Sequence, residues 1–162
     1  MNPLDFIDPC LLKDEPEDPR YVDSPFRKLK KLHAKQKGSR YEKISEQVLV
    51  GLGKTVLPPT NTDHDRIVDN VKVEIKGSTL NKNSDNFSFL QIRPDQDYDV
   101  MYFCMFYPYK FVIMSMTKDI IIQNIENGNF SKQHGGKKAE SRTFCYYGNK
   151  ITLKEIGAVQ II

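Results

Sequence analysis

Three residues in the middle of the chain combine side-chain types and spacing suited to metal-assisted hydrolysis. Glu74 and Lys76 stand two positions apart in Val73-Glu74-Ile75-Lys76-Gly77. On an extended strand residues i and i+2 share a face, so the carboxylate and the ammonium point together while Ile75 turns to the other side. Asp65 lies nine positions before Glu74, enough for a short strand, a tight turn and a return. The three side chains can then converge at one end of a hairpin. Two carboxylates offer the hard oxygen ligands that magnesium takes, and a lysine beside them can stabilise negative charge as it develops. Phosphodiester hydrolysis needs those parts: a divalent metal, an activated water and a stabilised transition state.

Neighbouring residues compete for the same roles. Asp63 and Asp69 are rivals to Asp65 as the first acid. Asp69 reads as the turn residue of Asp69-Asn70, and Asp63 falls early for the strand. Glu42 reads equally as a helix-capping glutamate and as an acid near the site. Gln91, fifteen residues past Lys76, reads by itself as a plain surface glutamine. His33, His64 and His134 show no ligand spacing, and the three cysteines Cys10, Cys104 and Cys145 are scattered. Neither a zinc site nor a disulfide framework is indicated, and the cysteine usage suits a reducing, cytoplasmic compartment.

The elements that must position these residues can be read from periodicity and breakers. Ser24 is placed to cap a short helix with Pro25 at its first position and Phe26, Leu29 and Leu32 at helical spacing. Gly38 should break that helix and Ser39 cap the next, with Glu42 closing a capping box and Gly51 and Gly53 ending it. Lys54 to Leu57 reads as a short strand. Arg66 to Val68 and Val71 to Ile75 alternate around Asp69-Asn70 as a hairpin. Residues 77 to 86 read as loop, and Phe87 to Ile92 is ambiguous between strand and helical turn. Val100 to Tyr107 is almost wholly apolar and should be a central strand buried on both faces. Phe111 to Met116 reads as a further strand, and Thr117 to about Asn127 as a helix despite its β-branched Ile120-Ile121-Ile122 run. Strands are expected at Thr143 to Tyr147 and Ala158 to Ile161. This mixed order implies an α/β fold with a mixed sheet flanked by helices.

The 162 residues, 39% hydrophobic and 28% charged, fit one globular domain, with no apolar run of membrane-spanning length and no signal-peptide pattern. The net charge of +3 hides a sharp division. Residues 1 to 24 carry seven acids against Lys13 and Arg20 and four prolines, and read as an acidic, extended arm. Residues 25 to 43 carry eight bases against Glu42, a block able to neutralise phosphates or to serve as a solvated helix face. His134-Gly135-Gly136-Lys137-Lys138 with Arg142 forms a second basic stretch that could grip phosphate.

The stretch Asp65-Arg66-Ile67-Val68-Asp69-Asn70-Val71-Lys72-Val73-Glu74-Ile75-Lys76-Gly77-Ser78 resembles the PD-(D/E)XK nucleases, which include type II restriction endonucleases and Holliday-junction resolvases. Gly38 to Glu42, followed by Gly53 and Val56, is similar to the family's first helix. Phe87 to Asp99 and the hydrophobic strand after it resemble the region downstream of the motif in restriction-type members. The likeness covers roughly residues 38 to 127, taking one domain as the unit. It departs in one place: His64, not proline, precedes Asp65. The resemblance implies a restriction endonuclease-like core within a single domain over residues 25–162. It implies a magnesium-dependent, homodimeric endonuclease acting on double-stranded DNA. Asp65, Glu74 and the Ile75 carbonyl would hold Mg2+, Lys76 would be catalytic and Glu42 would assist; Lys137, Lys138, Arg142 and Gln91 would be DNA contacts. A junction-resolving or repair nuclease, or a silent DNA-binding module of the same fold, are the alternatives.

Overall fold

The longest strand among the described residues is built around the Glu74-Ile75-Lys76 triplet. In the computed structural model, which describes Asp8 and residues 16–133 and 142–162, β1 (Val56–Leu57), β2 (Arg66–Val68) and β3 (Val71–Thr79) form an antiparallel meander. β3 then pairs in parallel with β5 (Val100–Tyr107), β5 pairs antiparallel with β6 (Lys110–Thr117), and β9 (Val159–Gln160) closes the far edge. The sheet order is β1-β2-β3-β5-β6-β9. A smaller sheet, β4-β8-β7, is formed by Phe87–Ile92, Phe144–Gly148 and Ser131–Lys132. The fold is α/β with a mixed sheet flanked by helices, as the element order implied.

The chain reverses between β2 and β3 because Asp69 and Asn70 both adopt positive φ, 49° and 67°. These are among the residue types that tolerate the left-handed region, and two such positions make the hairpin turn. Asp69 adds a side-chain brace, accepting from the Thr55 N–H at 2.9 Å and pairing with Lys54 at 3.0 Å.

Strand alternation divides the core. On β5, Met101, Phe103 and Met105 face one way and Cys104 and Phe106 the other, all fully buried. The first set joins Phe87, Phe89, Met114, Phe130, Tyr146 and Leu153 under the small sheet, α3 (Lys118–Glu126) and α4 (Lys150–Glu155). The second joins Val73, Ile75, Leu49 and Tyr41 under α2 (Ala34–Gly51). The expectation of a central strand buried on both faces holds.

The helix boundary at Gly38 does not. α1 is only Arg27–Lys31, and α2 runs unbroken from Ala34 to Gly51, entered through an extended His33. Gly38 lies inside the helix with open space around it. A glycine there costs roughly 1 kcal/mol against alanine, less than the helix gains by seating Tyr41, Ser45 and Leu49 against the sheet. Ser39 is therefore no cap, and Glu42 closes no capping box. β3 also runs four residues further than expected, to Thr79, because Ser78 and Thr79 continue the register with β5. Its Gly77 is needed for packing: a Cβ there would lie 2.2 Å from Cγ of Tyr41.

The N-terminal segment also departs from the arm reading over its last residues. Tyr21 is 1% exposed; its hydroxyl donates to the Phe106 carbonyl at 2.6 Å and accepts from the Leu80 N–H at 2.9 Å. Ser24 is buried too, donating to the Pro108 carbonyl and accepting from the Phe26 N–H. α4 was unforeseen; Asn149 accepts from the N–H groups of Ile151 and Thr152 while Thr152 Oγ1 accepts from the Asn149 N–H, a complete capping box. No described helix is long and apolar enough to cross a membrane.

Candidate active site

The β2–β3 register pairs Arg66 with Val73, and one step further out it sets Asp65 opposite Glu74. Strand β2 ends at Arg66, so the N–H of Ile75 has no strand carbonyl to meet on that side. Asp65 supplies an acceptor from its side chain: its own N–H donates to the Val73 carbonyl at 3.0 Å, and its Oδ2 accepts from the Ile75 N–H at 2.7 Å. Asp65 is thus held beside Glu74 by the edge of the ladder.

Glu74 and Lys76 lie on the same face, as strand alternation required, with Lys76 Nζ 2.7 Å from Glu74 Oε1. Both are largely buried, the side chains 8% and 17% exposed. Burial is the main reason the Glu74 carboxyl is raised, to about 7; the charge of Asp65 and a hydrogen bond to it push the same way, and Lys76 opposes them. Ile75 turns to the opposite face and packs with Val73, Leu49, Cys104 and Phe106. The apolar residue of the motif anchors the strand, and the two polar ones face the site.

Glu42 approaches from α2 beside Arg66, which alternation sends to the helix face. Arg66 Nη1 stands 3.7 Å from Glu42 Oε2 and donates to the Asp65 carbonyl at 2.6 Å, while Nε donates to Glu46 Oε2 at 2.8 Å. The Glu42 carboxyl is raised by burial and by Asp65, against Arg66 and Lys76. The helix glutamate lies within the electrostatic reach of the motif. Arg66 and Glu46 were missed by the sequence reading. The signals were there: Arg66 follows the first acid on a strand, and Glu46 is one helical turn beyond Glu42.

The rival acids lie elsewhere. Asp69 sits at the turn end of the hairpin, and Asp63 accepts from the Asp97 N–H at 3.4 Å in the preceding loop. His64 is buried, its Nδ1 3.1 Å from the Asp97 carbonyl and its Nε2 accepting from the Thr60 N–H at 3.3 Å. That pattern fits a neutral imidazole donating through Nδ1, an anchor for the loop leading into Asp65. Tyr98 is 2% exposed, its hydroxyl has no hydrogen-bond partner among the described residues, and the Lys118 ammonium stands 5.1 Å from its ring centre. Gln91 is exposed at an irregularity of β4 with φ 56°, its N–H donating to Gln133 Oε1 at 2.6 Å. Arg142 is exposed just before β8, and Lys137 and Lys138 lie outside the described residues.

Among the described residues no three His, Cys, Asp or Glu side chains form a ready-made metal cage. The donor set at the hairpin end is two hard carboxylates, Asp65 and Glu74, with a main-chain carbonyl between Glu74 and Lys76. That set fits magnesium, which is held by one or two carboxylates and completes its shell with water and substrate phosphate. A cation beside the two acids would also offset the smaller part of the Glu74 shift that the charge of Asp65 adds to burial.

No family model and no curated protein matches the chain. Among solved structures, a bacterial homing endonuclease is similar over 56% of this chain and 69% of that one, with a TM-score of 0.43 and 19% identity. A likeness of that size assigns neither family nor activity.

Proposed function

We propose that this protein is a magnesium-dependent endonuclease of the PD-(D/E)XK type that hydrolyses phosphodiester bonds in double-stranded DNA, as type II restriction enzymes do. One observation carries the reading: Asp65, Glu74 and Lys76 meet at one end of a hairpin, with Asp65 bonded to the Ile75 N–H at 2.7 Å and Lys76 to Glu74 at 2.7 Å. Asp65, Glu74 and the Ile75 carbonyl would hold the ion. Magnesium, when bound, neutralises phosphate charge and acidifies water.

The chain's own residues do the rest. Burial makes Glu74 costly to ionise, a cost that a bound cation would offset. Lys76, beside Glu74, would orient the attacking water and stabilise charge on the phosphate. Glu42, tied through Arg66 to the main chain of Asp65, holds the helix side of the site in place. A homodimer would match two cuts in a two-fold DNA site.

The deciding experiment incubates purified protein with plasmid and branched duplex DNA, in magnesium or EDTA. Discrete plasmid fragments in magnesium alone support the restriction reading, and cleavage confined to branches supports a junction or repair nuclease. DNA that is retarded and intact in every condition supports a binding module, and equal cutting in EDTA refutes the metal mechanism.

A further inference from the structure

The basic block at residues 25–43 is not one surface. The structure separates it into cations already used and cations left over. Arg27 and Lys31 both pair with Glu17, and Lys30 donates to the Leu80 carbonyl and stands 4.0 Å from Asp18. These three bases fasten the acidic segment to α1, whereas Lys28 on the same helix is exposed and forms no ion pair with any described residue. On α2, Lys35, Arg40 and Lys43 are exposed and form no ion pair with any described residue.

Helix geometry sets where those three stand. Tyr41, Ser45 and Leu49 mark the buried stripe of α2. At about 100° per residue, Lys35 falls between Glu42 and Glu46 at one edge of the exposed face, Lys43 stands nearly opposite the buried stripe, and Arg40 lies beyond it, so the three bases spread over the outward face of α2. Lys35 and Lys43 are about 12 Å apart along the axis, at about 1.5 Å per residue. Measured along a duplex axis, that length covers about three phosphates of one DNA strand, at about 3.4 Å each. The two acids at the same edge as Lys35 would repel a phosphate chain, and Arg66 takes up both of them. The outward face of α2 is therefore left with exposed bases that form no ion pair with a described residue, and the two acids at its edge are turned to Arg66.

We propose that the outward face of α2 carrying Lys35, Arg40 and Lys43 is a track for the DNA backbone beside the hairpin site, and that Arg27, Lys30 and Lys31 of α1 are no part of it. The partner is a duplex phosphate backbone, bound without regard to sequence, and the proposal rests on the nuclease reading above. It divides a run of like charges by what each cation already holds.

The test measures binding of a duplex oligonucleotide to the full chain across salt concentrations, with calcium in place of magnesium to hold back cutting. Each phosphate contact contributes about 0.9 to the log–log salt slope. Replacing Lys35, Arg40 and Lys43 together with alanine should lower the slope by about 2.7, with the circular dichroism spectrum unchanged. The control, Arg27→Gln with Lys31→Gln, should leave the slope as it is. An unchanged slope in the triple variant, or an equal fall in the control, overturns the track. If the wild-type protein still cuts DNA in magnesium, that result leaves the nuclease reading standing. Failure of the wild-type protein both to bind and to cut any duplex overturns both.

Discussion

Glu74→Gln should remove a pH dependence of folding stability that the wild-type protein carries. The Glu74 carboxyl is raised from 4.5 to about 7, chiefly because its side chain is buried, with Asp65 adding to the shift. Its folded-state value is above its unfolded value, so between pH 4.5 and about 7 the folded chain holds a proton that the unfolded chain releases. Stability from this group is therefore fully present below pH 4.5 and is lost as pH rises through about 7. At about 1.4 kcal/mol per pH unit the whole interval amounts to about 3 kcal/mol. A glutamine cannot titrate, whereas carboxylates held low by partners, such as Asp69 beside Lys54 and Asp97 beside Lys72, titrate alike in both proteins and cancel. Urea unfolding of both proteins at intervals from about pH 4.5 to about pH 8, without divalent ions, reads the difference. The wild type should lose about 3 kcal/mol relative to E74Q across the range. Parallel stability curves would refute the claim that burial and Asp65 hold this carboxyl protonated.

Lys76→Ala should reduce cleavage by at least about a hundredfold while leaving DNA affinity in calcium nearly intact, because its ammonium acts on charge that develops in the transition state; full cleavage would remove Lys76 from the chemistry. Of three single variants, Asp65→Asn should abolish cutting, and Asp63→Asn and Asp69→Asn should keep it; activity assays with the reverse order would move the first ligand out of the ladder position. Gly77→Ala should destabilise the fold by about 1–3 kcal/mol, since a Cβ 2.2 Å from Tyr41 forces helix and strand apart; an unchanged urea midpoint would show that α2 can yield there.

Much of the site was legible in local pattern. Glu74 and Lys76 share a face because a strand has period two, and Asp69-Asn70 reverses the chain because those residues accept positive φ. The central strand was evident from its unbroken apolar run. Other features depend on contacts between segments distant in sequence. Gly38 reads as a breaker until the buried stripe of Tyr41, Ser45 and Leu49 is seen to carry the helix across it. Tyr21 reads as part of a polar arm until its hydroxyl is seen bridging Phe106 and Leu80, 85 and 59 residues away. The capping box at Asn149 was a local signal that went unread because the helix it starts has only six residues.

The contact between Tyr41 and Gly77 has a mechanical meaning for the site. Glu42 follows Tyr41 in the helix, and Lys76 precedes Gly77 in the strand. The place where aromatic ring and bare backbone touch is thus one residue away from a charged group on each side. Such a seat works as a spacer: the distance from α2 to β3 beside the motif is gauged by the thickness of a ring on a peptide unit. Any side chain at position 77 acts as a shim driven between helix and strand.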